Sequence, residues 1–174
     1  MKIVVLVVGR LKDERVASMA GEYLGRIRPG AVSVERVPDA RGASPGKRVE
    51  REGQDILKRL HPRDRLILLR EDGRECDSPA FAALLSREME AAAGKVVLAI
   101  GGPWGFSEAV RRRANDGLSL SRMTLTHEMC FLFLTEQLYR AFSILAGSSY
   151  HHSGSPSPPA SRPRAAGEGR GPRP

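Results

Sequence analysis

The stretch that decides the fold is VVLAIGGPWGFSEAV, Val96–Val110. An apolar, β-branched run breaks into Gly101-Gly102, then Pro103-Trp104-Gly105, then a polar segment able to start a helix. The run reads as a strand buried on both faces, and the glycines sit at its carboxyl end. In open parallel sheets that end is where ligands bind. Glycine there lets backbone approach a ligand, or turn with positive φ, without a Cβ in the way. A plain tight turn is the alternative. Trp104, the single tryptophan, reads first as an aromatic plug packing the turn against the sheet and second as a cap on a ligand.

The flanking sequence alternates in the same manner. Ile3–Val8 is a continuous apolar run, followed by Val16, Met19, Tyr23 and Ile27 at helical spacing. Val32–Val37 is a weaker strand, and Val49, Ile56 and Leu60 mark a second amphipathic helix. Arg65–Leu69 is a strand. Ser78-Pro79 reads as an N-cap with proline at the first helical position, ahead of Phe81, Leu85 and Met89 as an inner face. Lys95–Ile100 closes the series. Strand and helix in alternation predict an α/β domain, a parallel sheet with helices on both faces.

The bulk numbers bound the rest. A chain of 174 residues suffices for one domain with a proper core. No apolar run has membrane-spanning length, and the N-terminus reads as a first strand without a cleavage site, so a cytoplasmic protein is expected. Cys76 and Cys130 lie far apart without metal-ligand spacing, and no metal is expected. The formal charge is +8. Residues 153–174 hold four arginines, one glutamate and no large apolar residue, and are expected to be a disordered tail behind a domain at 1–152. The remaining +5 favours a polyanionic partner, nucleic acid foremost. Gly101, Gly102 and Gly105 do not fit the G-x-G-x-x-G spacing of a dinucleotide fingerprint, and no phosphate loop is present.

A second stretch adds identity: LSLSRMTLTHEMCFLFLTEQLYRAFSILAGSSYHH, Leu118–His152. Together with IGGPWGFS it resembles the ribosomal RNA large subunit methyltransferase H family, of the SPOUT class. The carrying motifs are the Ile-Gly-Gly-Pro-x-Gly turn, the Leu-Ser-x-Met-Thr-Leu segment ending in a histidine, a Tyr-Arg-Ala helix and a terminal Tyr-His. The resemblance covers Met1 to about His152.

The resemblance implies a C-terminal trefoil knot, S-adenosylmethionine as cofactor, and methylation of N3 of a pseudouridine in large-subunit (23S) ribosomal RNA on the assembled ribosome. Carried over, the cofactor-binding positions are Leu69, Gly101, Gly102, Leu120, Ser121, Arg122, Met123, Thr124 and Leu125. A side chain at Gly102 is then expected to fill the cofactor's place. Arg140, Tyr150, His151 and His127 are the candidates to position or deprotonate the base, with His127 also read as a structural hydrogen-bonder. A homodimer with an active site shared between subunits is implied, and the helix bearing Phe131, Leu134, Leu138 and Phe142 is its expected surface.

Three residues depart from the family pattern. Thr126 replaces a proline, Phe131 an arginine, and His152 a closing Lys or Arg. The second and third leave open a non-catalytic RNA- or ribosome-binding protein of the same fold. A nucleotide-dependent enzyme on an unknotted sheet is the reading from another class.

Overall fold

The structure is a computed structural model and describes residues 2–42, 44–148 and 150. Five strands, all parallel, form one sheet in the order β2-β1-β4-β3-β5. They are β1 (Ile3–Val8), β2 (Val32–Val37), β3 (Arg65–Glu75), β4 (Val96–Ile100) and β5 (Asp116–Ser119). The helices are α1 (Glu14–Arg26), α2 (Pro45–Lys58), α3 (Ser78–Ala91), α4 (Glu108–Arg113) and α5 (His127–Leu145). The expected tail, His151 and His152 lie outside the described residues.

Alternation along the strands divides the core in two. Ile3, Val5, Val7, Ile67, Leu69, Leu98 and Ile100 face α1, α3 and α5. Val4, Leu6, Val8, Leu66, Leu68, Val97 and Ala99 face α2 and α4. Every residue of β1 and β4 is buried, which is why their sequences carry no polar alternation. On the second face Gly53 of α2 meets α4 so closely that a Cβ would lie 2.2 Å from Ser107 Oγ.

Several expectations are corrected. The buried contact of α1 is Ala20, whereas Met19 is exposed; the small side chain lets α1 pack closely on α5. The N-cap of α3 is Asp77, whose Oδ1 accepts from Ala80 N at 2.8 Å, so Ser78 is already helical. Trp104 is 57% exposed and plugs nothing. The aromatic packed against the sheet is Phe106, two residues on, in the core under α2 and α4. Phe131, Leu134 and Leu138 are buried within the chain itself, so they form no dimer surface. The residues of α5 left exposed are Met129, Phe133 and Leu145.

β3 also runs past Leu69. Leu118 of β5 pairs with both Leu69 and Arg74, so residues 70–73 bulge out of the ladder. Gly73 makes this possible: a Cβ there would lie 2.5 Å from the Leu118 carbonyl carbon. β5 has the sequence DGLS and little strand propensity of its own. It is a strand because the edge of β3 pairs with it.

Candidate functional site

A cavity of ≈ 630 Å³ opens at the carboxyl end of β4 and the neighbouring bulge of β3, within the size range of small-molecule sites. One wall is Leu69 with the bulge residues Arg70, Glu71 and Asp72. A second is Ile100 to Pro103 with Gly105 and Phe106. A third is Leu120, Ser121 and Met123 to His127, with Cys130 behind and Arg111 at the side.

The glycine turn owes its composition to crowding. Neither Gly101 nor Gly102 has positive φ; Gly105 does, at 75°. The turn closes through Gly105 N donating to Gly102 O at 3.0 Å. A Cβ on Gly101 would lie 3.1 Å from Gly105 O and 3.2 Å from Phe106 Cζ. A Cβ on Gly102 would lie 2.8 Å from Glu52 Oε2, on the side of α2 and away from the cavity. Gly102 therefore offers the cavity its backbone, and the expectation that a side chain there fills the ligand's place is corrected.

The loop after β5 is shaped by its serines. Ser119 Oγ donates to Ser121 O at 2.9 Å, and Ser121 Oγ accepts from Met123 N at 3.0 Å. Arg122 leaves the cavity for Glu75, Nε to Oε1 2.7 Å, on an exposed surface. Of the nine positions carried over for the cofactor, eight line one cavity and Arg122 does not.

His127 opens α5 and lines the cavity. Its Nε2 lies 3.1 Å from Arg10 O. A carbonyl only accepts, so that nitrogen carries the proton. Glu128 beside it accepts from the N–H groups of Lys12 and Asp13, the latter at 3.1 Å, and these bonds hold its carboxyl below the usual range. The β1–α1 loop is thus tied to the start of α5. Thr126 caps that helix, with Oγ1 accepting from Met129 N at 3.3 Å, a bond that the proline expected from the resemblance would have no side-chain oxygen to make. Cys130 is a half-buried part of the wall, its thiol pushed up to about 11 by desolvation.

Arg140 and Tyr150 lie elsewhere. Arg140 is thirteen residues beyond His127 on α5, about 20 Å along the helix axis. Its Nε donates to Glu136 Oε1 at 3.0 Å, and Tyr150 OH donates to the same oxygen at 3.3 Å. The guanidinium carbon sits 4.9 Å from the centre of the Tyr150 ring, which packs at 4.5 Å on Tyr139. The sequence-predicted residues thus fall into two groups, a cavity with His127 at its wall and a cationic-aromatic cluster far from it. His151 lies outside the described residues.

Sequence reasoning missed the 70–73 bulge, Arg111, Cys130 and Glu136. Arg111 donates from Nε to Phe106 O at 3.3 Å and pairs with Asp72 at 3.8 Å, while Arg70 pairs with Asp72 at 3.4 Å. The one signal in the sequence was REDGRE after RLILL, a strand-to-glycine break like that at Gly101. Among the described residues no group of three or more His, Cys, Asp or Glu side chains is arranged to hold a metal ion. Among them, too, no helix is long and apolar enough to cross a membrane.

Comparison with known proteins adds a family match over residues 1–151, to the family described as predicted SPOUT methyltransferase. A protein of Porphyromonas gingivalis named ribosomal RNA large subunit methyltransferase H is 44% identical over 156 residues, covering 87% of this chain and 99% of that one. Proteins of the same name are 42% identical in Geotalea daltonii, over 87% of this chain and 100% of that one, and 39% identical in Bacteroides thetaiotaomicron, over 87% and 99%.

Proposed function

Because the chain belongs to the SPOUT methyltransferase family, among the ribosomal RNA large subunit methyltransferase H proteins, we propose that it is an S-adenosylmethionine-dependent enzyme that methylates N3 of a pseudouridine in large-subunit (23S) ribosomal RNA, on the assembled ribosome in the cytoplasm. The reading includes the trefoil knot of that family. The observation that carries it is the cavity at the glycine turn.

The cavity suits the cofactor. Leu69, Ile100, Leu120 and Leu125 supply apolar walls, and the 101–105 turn and the 120–125 loop supply main-chain donors and acceptors for a nucleoside. Arg70, Arg111, Glu71 and Asp72 put both signs of charge in the lining, as a zwitterionic amino-acid moiety requires. Bound there, S-adenosylmethionine supplies a methyl group on a sulfonium leaving group, so the protein's task is alignment.

The chain's own residues meet the base. Arg140 stabilises negative charge developing on the uracil oxygens, and Tyr150 stacks on the ring, with His151 following it in the chain. His127 donates from Nε2 to Arg10 O, which fixes the ring at the cavity wall and leaves Nδ1 as its free acceptor.

About 20 Å separates His127 from Arg140 on one rigid helix, so one chain does not bring both to one methyl group. A homodimer resolves this. Met129, Phe133, Glu136 and Arg140 recur at helical spacing along the side of α5 turned from the core. An antiparallel pairing of two α5 helices about a two-fold axis near Phe133 brings each Arg140 level with the first turn of the other copy's α5, where the cavity begins. Each cavity then receives Arg140 and Tyr150 from the second copy. The burial of Phe131 removes one of the two grounds for a non-catalytic binding protein, since its lost charge faces neither the cavity nor this stripe.

Mass spectrometry of 23S RNA from cells with and without the protein tests the reading. The expected result is loss of one N3-methylated pseudouridine on deletion, restored by the gene. An unchanged modification profile overturns it.

A further inference from the structure

We propose that Glu136 is a positioning residue, which holds Arg140 and Tyr150 as one unit in the orientation that meets the target base. The proposal rests on the roles given to those two residues above.

Both carboxylate oxygens of Glu136 are engaged. Oε1 accepts from Arg140 Nε at 3.0 Å, from Arg140 Nη2 at 2.5 Å and from Tyr150 OH at 3.3 Å. Oε2 accepts from Gln137 Nε2 at 2.5 Å, and Gln137 Oε1 accepts from Ser78 Oγ at 2.7 Å. The Ser78 hydroxyl, released from capping by Asp77, thus anchors the network from the first turn of α3.

An ordinary i,i+4 pair on a helix surface contributes little and orders nothing beyond the helix. Here the carboxylate also reaches Tyr150, fourteen residues on and past the end of α5. It presses the phenol and the guanidinium together, the ring 4.9 Å from the cation. A guanidinium has five N–H donors, so bonding to Glu136 through Nε and Nη2 does not exhaust what Arg140 can offer a uracil oxygen.

The physical consequences agree. The hydrogen bond to Glu136 raises Arg140 further above its ordinary value. Burial foremost, with the Glu136 charge behind it, pushes the Tyr150 phenol above its ordinary value. Without Glu136 the arginine swings free on a long side chain, Tyr150 loses its acceptor, and the pair must be ordered anew at each turnover.

The test uses the full chain and ribosomes lacking the modification, with kcat at saturating ribosome and cofactor affinity by calorimetry. Glu136→Ala is expected to lower kcat about tenfold to a hundredfold, with cofactor Kd within about twofold of wild type. Glu136→Gln, which keeps an acceptor for Tyr150 and Arg140, is expected to recover most of the loss. Should Glu136→Ala not fold, Glu136→Gln against Glu136→Leu makes the same comparison at constant size. Wild-type kcat in the alanine or leucine variant overturns the proposal alone, as does loss of cofactor affinity in step with kcat. A wild-type protein that methylates no ribosome overturns the functional reading and this proposal with it.

Discussion

Gly102 and Glu52 face each other across the junction of β4 and α2, with room for a hydrogen but not a methyl: a Cβ on Gly102 would lie 2.8 Å from Glu52 Oε2. Glu52 is buried at 4% exposure and held from its other oxygen by Ala40 N at 3.0 Å, so it does not swing aside. Gly102→Ala should therefore cost about 1–3 kcal/mol of stability through overpacking. Glu52→Ala should relieve part of it in the double variant. Urea unfolding of the four proteins measures this. Strict additivity would mean that the two residues are not in contact.

Cys130 offers a check on the cavity that needs no activity. Its thiol, pushed up to about 11, is about one part in a thousand thiolate at pH 8. Cys76 is raised too, mainly by burial, but lies outside the cavity lining. Iodoacetamide should modify Cys76 first. Adding the demethylated cofactor should slow modification of Cys130 and leave Cys76 unchanged. Equal protection of both, read by peptide mass spectrometry, would misplace the site.

Asp64 clamps two loops at the opposite end of the sheet. Its carboxylate accepts from His61 N and Lys95 N, each at 2.8 Å. Burial raises its pKa, but the two backbone N–H groups outweigh burial and leave it below the ordinary value. A carboxyl depressed in the folded state stabilises above its unfolded pKa, about 3.9, and that contribution fades as pH falls through the folded value. Asp64→Ala should cost about 2–4 kcal/mol near neutral pH, by stranding two backbone donors. The difference from wild type should shrink below about pH 4. A pH-independent difference in urea unfolding would contradict this assignment.

Arg140→Ala and Tyr150→Ala separate chemistry from cofactor capture. Neither residue lines the cavity, so cofactor affinity should hold in both. Single-turnover methylation should fall about a hundredfold, as for loss of one group that meets developing charge or orients the base. Mixing Arg140→Ala chains with chains blocked in the cavity should restore activity if each site takes Arg140 from the other copy. No recovery in the mixed dimers would overturn the sharing of Arg140 between copies.

Much of this protein was legible in the primary structure because the signals are local. The apolar run of β1, the strand-to-glycine break at Gly101 and the family motifs from Leu118 onward need no partner to be read. What escaped depended on neighbours distant in the chain. β5 has almost no propensity of its own and exists because β3 continues past Leu69 and pairs with it. Trp104 and Phe106 are both aromatic residues in one turn, and only the packing of that turn against Glu52 and the sheet chooses Phe106 for the core. The apolar run of α5 promised a sticky face, but α1, α3 and the sheet bury Phe131, Leu134 and Leu138 and leave Met129 and Phe133 outward. Above all, the motif residues read as one site are split by a rigid helix into a cavity and a cluster about 20 Å apart. Sequence by itself determined the family and the candidate side chains; tertiary structure decided where those side chains stand, because helix rise and strand pairing set distances that motif order does not encode.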